Sequence, residues 1–319
     1  MTIDTEILTP DAAGIERAAH LLRGGALVSF PTETVYGLGA HAGEDKAVAR
    51  IFDAKGRPRF NPLIVHVADV AAARRLVEWS KMADILAGAF WPGPLTLVLP
   101  LRKGAPVSDL VTGGLSTLAV RMPDHSIAAR LLQEADIPVA APSANASGRL
   151  SPTTAGHVLD SLAGRIDAIL DAGPCKLGLE STIVGLVDSP RLLRPGGLPA
   201  EVIEDALGAP LGTSGPGIEA PGQLGSHYAP RAGLRLNATT RRDGERLLGF
   251  GSVKGDLTLS AGGDLVEAAA QLFCHLHALD TMGDHTIAVA PIPEHGLGRA
   301  INDRLRRAAA PRMTPDQAE

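Results

Sequence analysis

Phe30-Pro31-Thr32-Glu33-Thr34-Val35-Tyr36-Gly37-Leu38-Gly39 is the stretch on which the reading of the fold turns. The five residues 26–30 that lead into it are mostly apolar and predict a short buried strand. Pro31 ends that strand, because it has no N–H to give to a ladder. Two threonines, a glutamate and a tyrosine follow, then two glycines that allow close backbone approach. Polar groups at the end of a buried strand lie where α/β folds usually bind ligands. An ordinary strand-to-helix turn reads the same way in isolation. The ligand reading gains ground because other polar clusters further along the chain also follow buried strands.

Outward from this stretch, short strands and helices alternate. Upstream, Thr9-Pro10 reads as an N-cap and first-turn proline and Gly24-Gly25 as a stop, predicting a helix over 11–23. Downstream, helices are expected at 44–54, 70–79, 83–90, 126–134, 153–162 and 199–207. Strands are expected at 63–67, 96–99, 117–121, 138–141, 168–171, 181–187 and 191–194. This pattern argues an α/β fold with a twisted, mixed open sheet and flanking helices over residues 1–207. Residues 208–231 hold many glycines and prolines and no periodicity, so they read as a linker. The linker ends in Ser226-His227-Tyr228-Ala229-Pro230, which is unusually specific for a spacer. The alternation restarts over 232–319, with strands at 247–250 and 286–290 and helices at 265–279 and 297–309. A second, smaller α/β domain is expected there, with a frayed polar tail after Pro311.

Composition narrows the function. Of 319 residues, 45% are hydrophobic and only 3% aromatic, so the core must be built mainly from Ala, Leu, Val and Ile. The formal charge of −5 speaks against a broad RNA-gripping surface. Cys175 and Cys274 are far apart in sequence, which excludes a cysteine zinc site and fits a reducing compartment. Residues 1–9 carry acids and no apolar segment, and no long apolar run follows, so neither a signal peptide nor a membrane span is expected. The cytoplasm is the expected location.

Several clusters could carry chemistry. Lys55 and Arg57 stand at a helix end, where cations commonly just complement the dipole. The flanking prolines and Asn61 hold them rigidly, however, and two fixed cations at a strand end suit a triphosphate. Arg121 emerges from an apolar strand and needs an anionic partner, either a protein carboxylate or a ligand carboxylate. Ser143 and Asn145 follow another apolar strand and either shape a turn or meet a phosphate, ribose or base. His66 reads as a core histidine, with no second histidine near it to suggest a metal. Glu180-Ser181-Thr182 and Arg194-Pro195-Gly196-Gly197 are weak signals taken alone. There is no Walker A motif, no G-x-G-x-x-G after the first strand and no nucleophile elbow. The residues alone reach a small-molecule α/β enzyme with an anion-rich ligand.

Taken together, the motifs resemble the YrdC family. They are Pro31–Leu38, Lys55-Gly56-Arg57-Pro58, Asn61-Pro62-Leu63, Trp91-Pro92-Gly93-Pro94-Leu95-Thr96, Val120-Arg121-Met122-Pro123, Ala141-Pro142-Ser143-Ala144-Asn145 and Glu180-Ser181-Thr182-Ile183, in that order. His227-Tyr228-Ala229-Pro230 and the run Gly296–Arg304 resemble the family's longer, two-domain members, whose second domain is Rossmann-like. The resemblance implies a nucleotidyltransferase that makes threonylcarbamoyl-AMP and pyrophosphate from L-threonine, bicarbonate and ATP. That is the first step of threonylcarbamoyladenosine formation in tRNA, and a separate threonylcarbamoyl-transferase complex would accept the product. It implies ATP contacts from Lys55, Arg57, Asn61, Thr117, Ser143, Asn145, Ser151, Arg194 and Tyr228, with Lys55 and Arg57 acting in catalysis. It implies threonine contacts from Thr34, His66, Arg121, Ala141 and Ser181. Magnesium would enter with ATP, and the linker would act as a lid. Longer members often carry basic residues just before the His-Tyr-Ala-Pro segment, and here there are none, so a phosphate contact from the lid is in question. The competing class is an RNA-binding or ribosome-associated module, which predicts steeply salt-dependent tRNA affinity. A carbamoyl-transfer domain of the hydrogenase-maturation kind shares the fold, but lies in far longer chains with cysteine-rich fingers.

Overall fold

The structure is a computed structural model and describes residues 3–215, 217–223, 225–283 and 285–311. The tail beyond Pro311 lies outside these residues. The first part of the chain runs β1 (Glu6–Leu8), α1 (Ala12–Arg23), β2 (Val28–Phe30), β3 (Gly37–His41), α2 (Asp45–Lys55) and β4 (Ile64–His66). It continues α3 (Val70–Leu76), α4 (Lys81–Phe90), β5 (Leu95–Pro100), α5 (Asp109–Thr112), β6 (Thr117–Arg121), α6 (Ser126–Ala135) and β7 (Val139–Ala140). Next come α7 (Ala155–Leu162), β8 (Ala168–Leu170), β9 (Thr182–Gly185), β10 (Arg191–Arg194), α8 (Ala200–Leu207) and β11 (Gly212–Thr213). The described strands form one mixed sheet in the order β1-β8-β2-β3-β7-β4-β6-β5-β9-β10-β11.

The decisive stretch is not a strand-to-helix turn. Gly37–His41 returns as β3, antiparallel to β2, with Phe30 opposite Gly37. The polar residues 31–36 therefore form a loop between two central strands. At α1 the cap is Asp11 rather than Thr9: its carboxylate accepts the Gly14 amide at 2.9 Å. One apolar cluster fills the sheet face covered by α2, α4 and α7, and a second lies under α1 and α6.

The remainder holds β12 (Gly233–Arg235), β13 (Glu245–Gly249), β14 (Leu257–Thr258), α9 (Leu265–Asp280), β15 (Thr286–Val289) and α10 (Leu297–Ala309). Its four described strands are all parallel, in the order β12-β15-β13-β14. Its core also takes in Val35, Leu150 and Leu179 from the first part of the chain and Tyr228 from the linker, so one hydrophobic cluster crosses from sheet to sheet. Within the linker, β11 adds to the edge of the large sheet by pairing with β10. Among the described residues no helix is long and apolar enough to cross a membrane.

Candidate active site

A cavity opens at the ends of the central strands. Thr32, Thr34, Gly37, Arg57, Ile64, His66, Arg121, Ala141, Ser143, Glu180, Ser181 and Arg194 line it. Gly222, His227 and Tyr228 of the linker close it. Its free volume is about 50 Å³. Ordinary ligand sites run to roughly 300–1,000 Å³, so this conformation is a closed one.

Three cations stand buried around it. Lys55, Arg57 and Arg194 are 3%, 8% and 4% exposed. Their described partners are neutral. Lys55 Nζ donates to the Ser143 carbonyl at 2.6 Å and to the Asn145 carbonyl. Arg57 donates to the Asn61 and Pro62 carbonyls at 3.3 and 2.8 Å. Arg194 donates to the Ser181 carbonyl at 2.9 Å and to the Pro221 carbonyl at 3.3 Å. Burial, reinforced by Arg57, pulls the Lys55 ammonium well below its ordinary pKa. Burial also lowers Arg57, to about 10, and Arg194. Carbonyl dipoles steady these charges without cancelling them, which is the electrostatics of an anion site.

Asn61 is 1% exposed, and neither its Nδ2 nor its Oδ1 has a hydrogen-bond partner among the described residues. An amide so deeply buried is normally hydrogen-bonded, so its donors and acceptor are left over for a group outside the protein, a ligand or a water. Asn145 does a different job. Its Nδ2 donates to the Ala146 and Arg149 carbonyls at 2.8 and 2.9 Å, clamping the loop whose carbonyls hold Lys55. Its buried Oδ1, like the Asn61 amide, has no hydrogen-bond partner among the described residues.

The open question at Arg121 has a concrete answer. Its Nη2 lies 2.6 Å from Glu33 Oε2, both side chains being buried, so a protein carboxylate partners it. Arg121 Nη1 also donates to Thr34 Oγ1 at 2.9 Å, and that hydroxyl meets Thr32 Oγ1 at 2.7 Å. His66 stands opposite Arg121 in the β4–β6 register. Burial, with help from Arg121, pushes the His66 pKa down to about 3, so the ring is neutral. Its Nδ1 has no described hydrogen-bond partner. Ala141 lines the cavity with its amide bonded to the Ile64 carbonyl at 2.9 Å. Ser181 Oγ meets Thr96 Oγ1 at 2.7 Å and Arg194 Nη2 at 3.3 Å.

Of the expected contacts, Lys55, Asn61, Asn145, Thr117 and Ser151 are not among the residues that line the cavity. Thr117 begins β6, opposite Pro100, four residues from Arg121. At ~3.3 Å per strand residue that is the far end of the strand. Ser151 is buried and donates its hydroxyl to Glu180 rather than into the cavity. Glu33, Glu180 and Arg304 all stand in motifs quoted from the sequence, but sequence reasoning gives none of them a role in the site. Each is an acid or base whose partner lies far away in sequence, up to 124 residues for Glu180 and Arg304.

The linker is seated rather than loose where it is described. Tyr228 is 1% exposed and takes a left-handed φ of 60°. The Ala229 amide donates to the Gly148 carbonyl at 2.8 Å, and the His227 amide to the Arg307 carbonyl at 3.2 Å. Gln223 Oε1 accepts the Glu219 and Ala220 amides, and Glu219 pairs with Arg191 at 2.5 Å. A Cβ on Gly222 would stand 2.6 Å from the Tyr228 hydroxyl, so only glycine lets the ring pass. Ahead of His227, where no basic residue stands, the linker is held by Arg194, whose Nη1 donates to the Pro221 carbonyl at 3.3 Å.

Comparisons with known proteins place the chain in a family. The family described as "Telomere recombination" (Sua5_yciO_yrdC) matches residues 20–196, and "Threonylcarbamoyl-AMP synthase, C-terminal domain" (Sua5_C) matches residues 198–310. A threonylcarbamoyl-AMP synthase of Pyrococcus abyssi is 44% identical over 94% of this chain and 95% of its own length. One from Bacillus subtilis is 42% identical over 97% and 96%. The crystal structure of P. abyssi Sua5 complexed with L-threonine superposes with a TM-score of 0.89 at 41% identity, covering 96% of this chain and 98% of that one. The chain belongs to the Sua5/YrdC family, in its two-domain form.

Proposed function

We propose that the chain is a threonylcarbamoyl-AMP synthase, joining L-threonine, bicarbonate and ATP into threonylcarbamoyl-AMP with release of pyrophosphate. The observation that carries this reading is the set of three buried cations, Lys55, Arg57 and Arg194, held around one closed cavity by neutral groups. The curated names of full-length relatives supply the substrate class.

Each end of the cavity suits one substrate. The Thr34, His66 and Arg121 side is small, with hydroxyls and a single arginine whose charge Glu33 already half occupies. An amino acid fits it, with its carboxylate on the remaining Arg121 N–H groups and Ala141 and Ser181 beside it. The Lys55, Arg57, Asn61, Ser143 and Arg194 side suits the phosphates, and Tyr228 closes over the nucleotide. Thr117 and Ser151 support this end from outside the cavity wall.

No covalent nucleophile is needed. The neutral threonine amine adds to the carbon of CO2 and gives up a proton, or adds to bicarbonate with loss of water, and in either case forms a carbamate. A carbamate oxygen then attacks the α-phosphorus, the bond to the bridging oxygen breaks, and pyrophosphate leaves with the electron pair. Lys55, Arg57 and Arg194 offset the charge that gathers on the departing phosphates, and the closed lid excludes water from a hydrolysable product.

Among the described residues no group of His, Cys, Asp or Glu is placed to hold a metal ion. Glu33 and Glu180, the carboxylates at the site, are already paired with arginines. These residues do not fit a protein-held ion, so magnesium belongs to the nucleotide, with phosphate and water ligands. The two cysteines are free, in keeping with a cytoplasmic setting in which a transferase complex takes up the product.

The test is pyrophosphate release from magnesium-ATP with threonine or bicarbonate omitted in turn. Release that requires both supports the synthase. Release without threonine points to a plain ATPase, and tight tRNA binding without release to an RNA-binding module.

A further inference from the structure

Arg304 is 1% exposed and comes from α10, in the second domain. It is among the largest fully buried side chains of the molecule. Its Nε donates to Glu180 Oε2 at 2.7 Å, across the boundary between the two sheets. Its Nη1 donates to the Pro195 carbonyl at 3.0 Å and to Asp303 Oδ2 at 2.7 Å. Nη2 has no described hydrogen-bond partner, and the guanidinium carbon instead lies 4.9 Å from the centroid of the Tyr228 ring. The other Glu180 oxygen accepts the Ser151 hydroxyl.

Two consequences follow from this arrangement. A dry guanidinium over an aromatic face is a strong contact of its kind. It helps hold Tyr228 in a left-handed conformation that a non-glycine residue rarely keeps without support. Glu180, meanwhile, lines the same cavity as Arg194, whose Nη2 donates to the carbonyl of the next residue, Ser181, at 2.9 Å. Burial opposes the Glu180 charge, but Arg304 and Arg194, with the Ser151 hydroxyl, bring its pKa below the ordinary carboxylate value. With Arg304 engaged, Arg194 spends its N–H groups on carbonyls and one hydroxyl.

We propose that Arg304 is a positioning residue for the nucleotide end of the site. By occupying Glu180 it leaves the charge of Arg194 available to phosphate, and by covering the Tyr228 ring it seats the lid. The second domain thus supplies part of the ATP site without touching ATP. This rests on the synthase reading, and the experiment separates the two.

The affinity of a non-hydrolysable ATP analogue and of threonine is measured by calorimetry on the full chain, alongside pyrophosphate release. Arg304→Met should weaken the analogue roughly tenfold, a loss in the range of a buried cation–π contact, while threonine binding stays within about twofold. Arg304→Lys, which keeps a cation over the ring, should recover part of the loss. In a Tyr228→Ala background, Arg304→Met should cost clearly less than its tenfold loss in the parent, because the ring contact is gone and only the route through Glu180 and Arg194 remains. Should the unpaired Glu180 prevent folding of Arg304→Met, the Arg304→Met/Glu180→Gln double variant removes both charges. It should fold and still bind the analogue more weakly than the parent. Parental ATP affinity in that double variant overturns the proposal, as does an equal loss of threonine binding or full additivity with Tyr228→Ala. If the parent binds ATP but releases no pyrophosphate with all substrates present, the synthase reading falls while the binding result still decides the role of Arg304.

Discussion

Lys55 keeps its ammonium where water does not reach, between two carbonyls and beside Arg57. A charge in such a place costs stability unless an anion arrives, and that is its use. Lys55→Ala should lower the pyrophosphate release rate by about 10²–10³-fold, the size of losing one fixed charge stabiliser, while circular dichroism stays that of the parent. His66 makes a prediction about acid. Its folded pKa, about 3, lies below the ordinary value of 6.5. As pH falls below 6.5 the unfolded chain takes up a proton first, so this stability is full above 6.5 and is lost on the way down to about 3. The whole effect is at most about 5 kcal/mol. His66→Gln, which cannot titrate, should therefore unfold at a lower pH than the parent in an acid titration followed by circular dichroism. At this scale much of the site was legible. Lys55, Arg57 and Asn61 sit within one rigid motif, and Arg121 ends an apolar strand. Glu33 as the partner of Arg121 was not legible, because nothing in a linear sequence says which carboxylate a buried arginine will meet.

The elements show where pattern reading reaches and where it stops. β6 and α10 were expected at 117–121 and 297–309 and are found there, since strand alternation and a helical stripe are strong periodic signals. β3 was missed because it carries two glycines that look like a turn. They are there for contact: a Cβ on Gly39 would lie 2.9 Å from the Phe30 ring and 3.1 Å from Val139 Cγ1. Gly39→Ala should therefore destabilise the protein, by about 1–3 kcal/mol as for an overpacked core, read as a lower melting temperature. β1 escaped because two of its three residues are exposed. Two loop and cap substitutions should part company. Asn145→Ala releases two carbonyls of the loop that holds Lys55. It should cost about 1–3 kcal/mol and also raise the KM for ATP. Asp264 caps α9 through the Val266 and Glu267 amides, away from the cavity. Asp264→Ala should cost about 1 kcal/mol and leave the KM for ATP unchanged.

The whole molecule carries a net charge of −5 and concentrates its buried cations at one cavity. It should bind tRNA weakly at physiological salt. A filter-binding affinity tighter than about micromolar, with a steep salt slope, would contradict this. The two sheets share a hydrophobic cluster, and the closed site draws on three separated parts of the chain: the first domain, the linker and α10. That division has a consequence in time. A ribosome releases the phosphate-facing cations first, Tyr228 much later, and Arg304 later still. Until Arg304 has emerged, Glu180 has no guanidinium from α10 and the Tyr228 ring has no cation over its face. A nascent chain thus carries an unfinished site, and the capacity to enclose a reactive acyl-adenylate is switched on only near the close of its own synthesis.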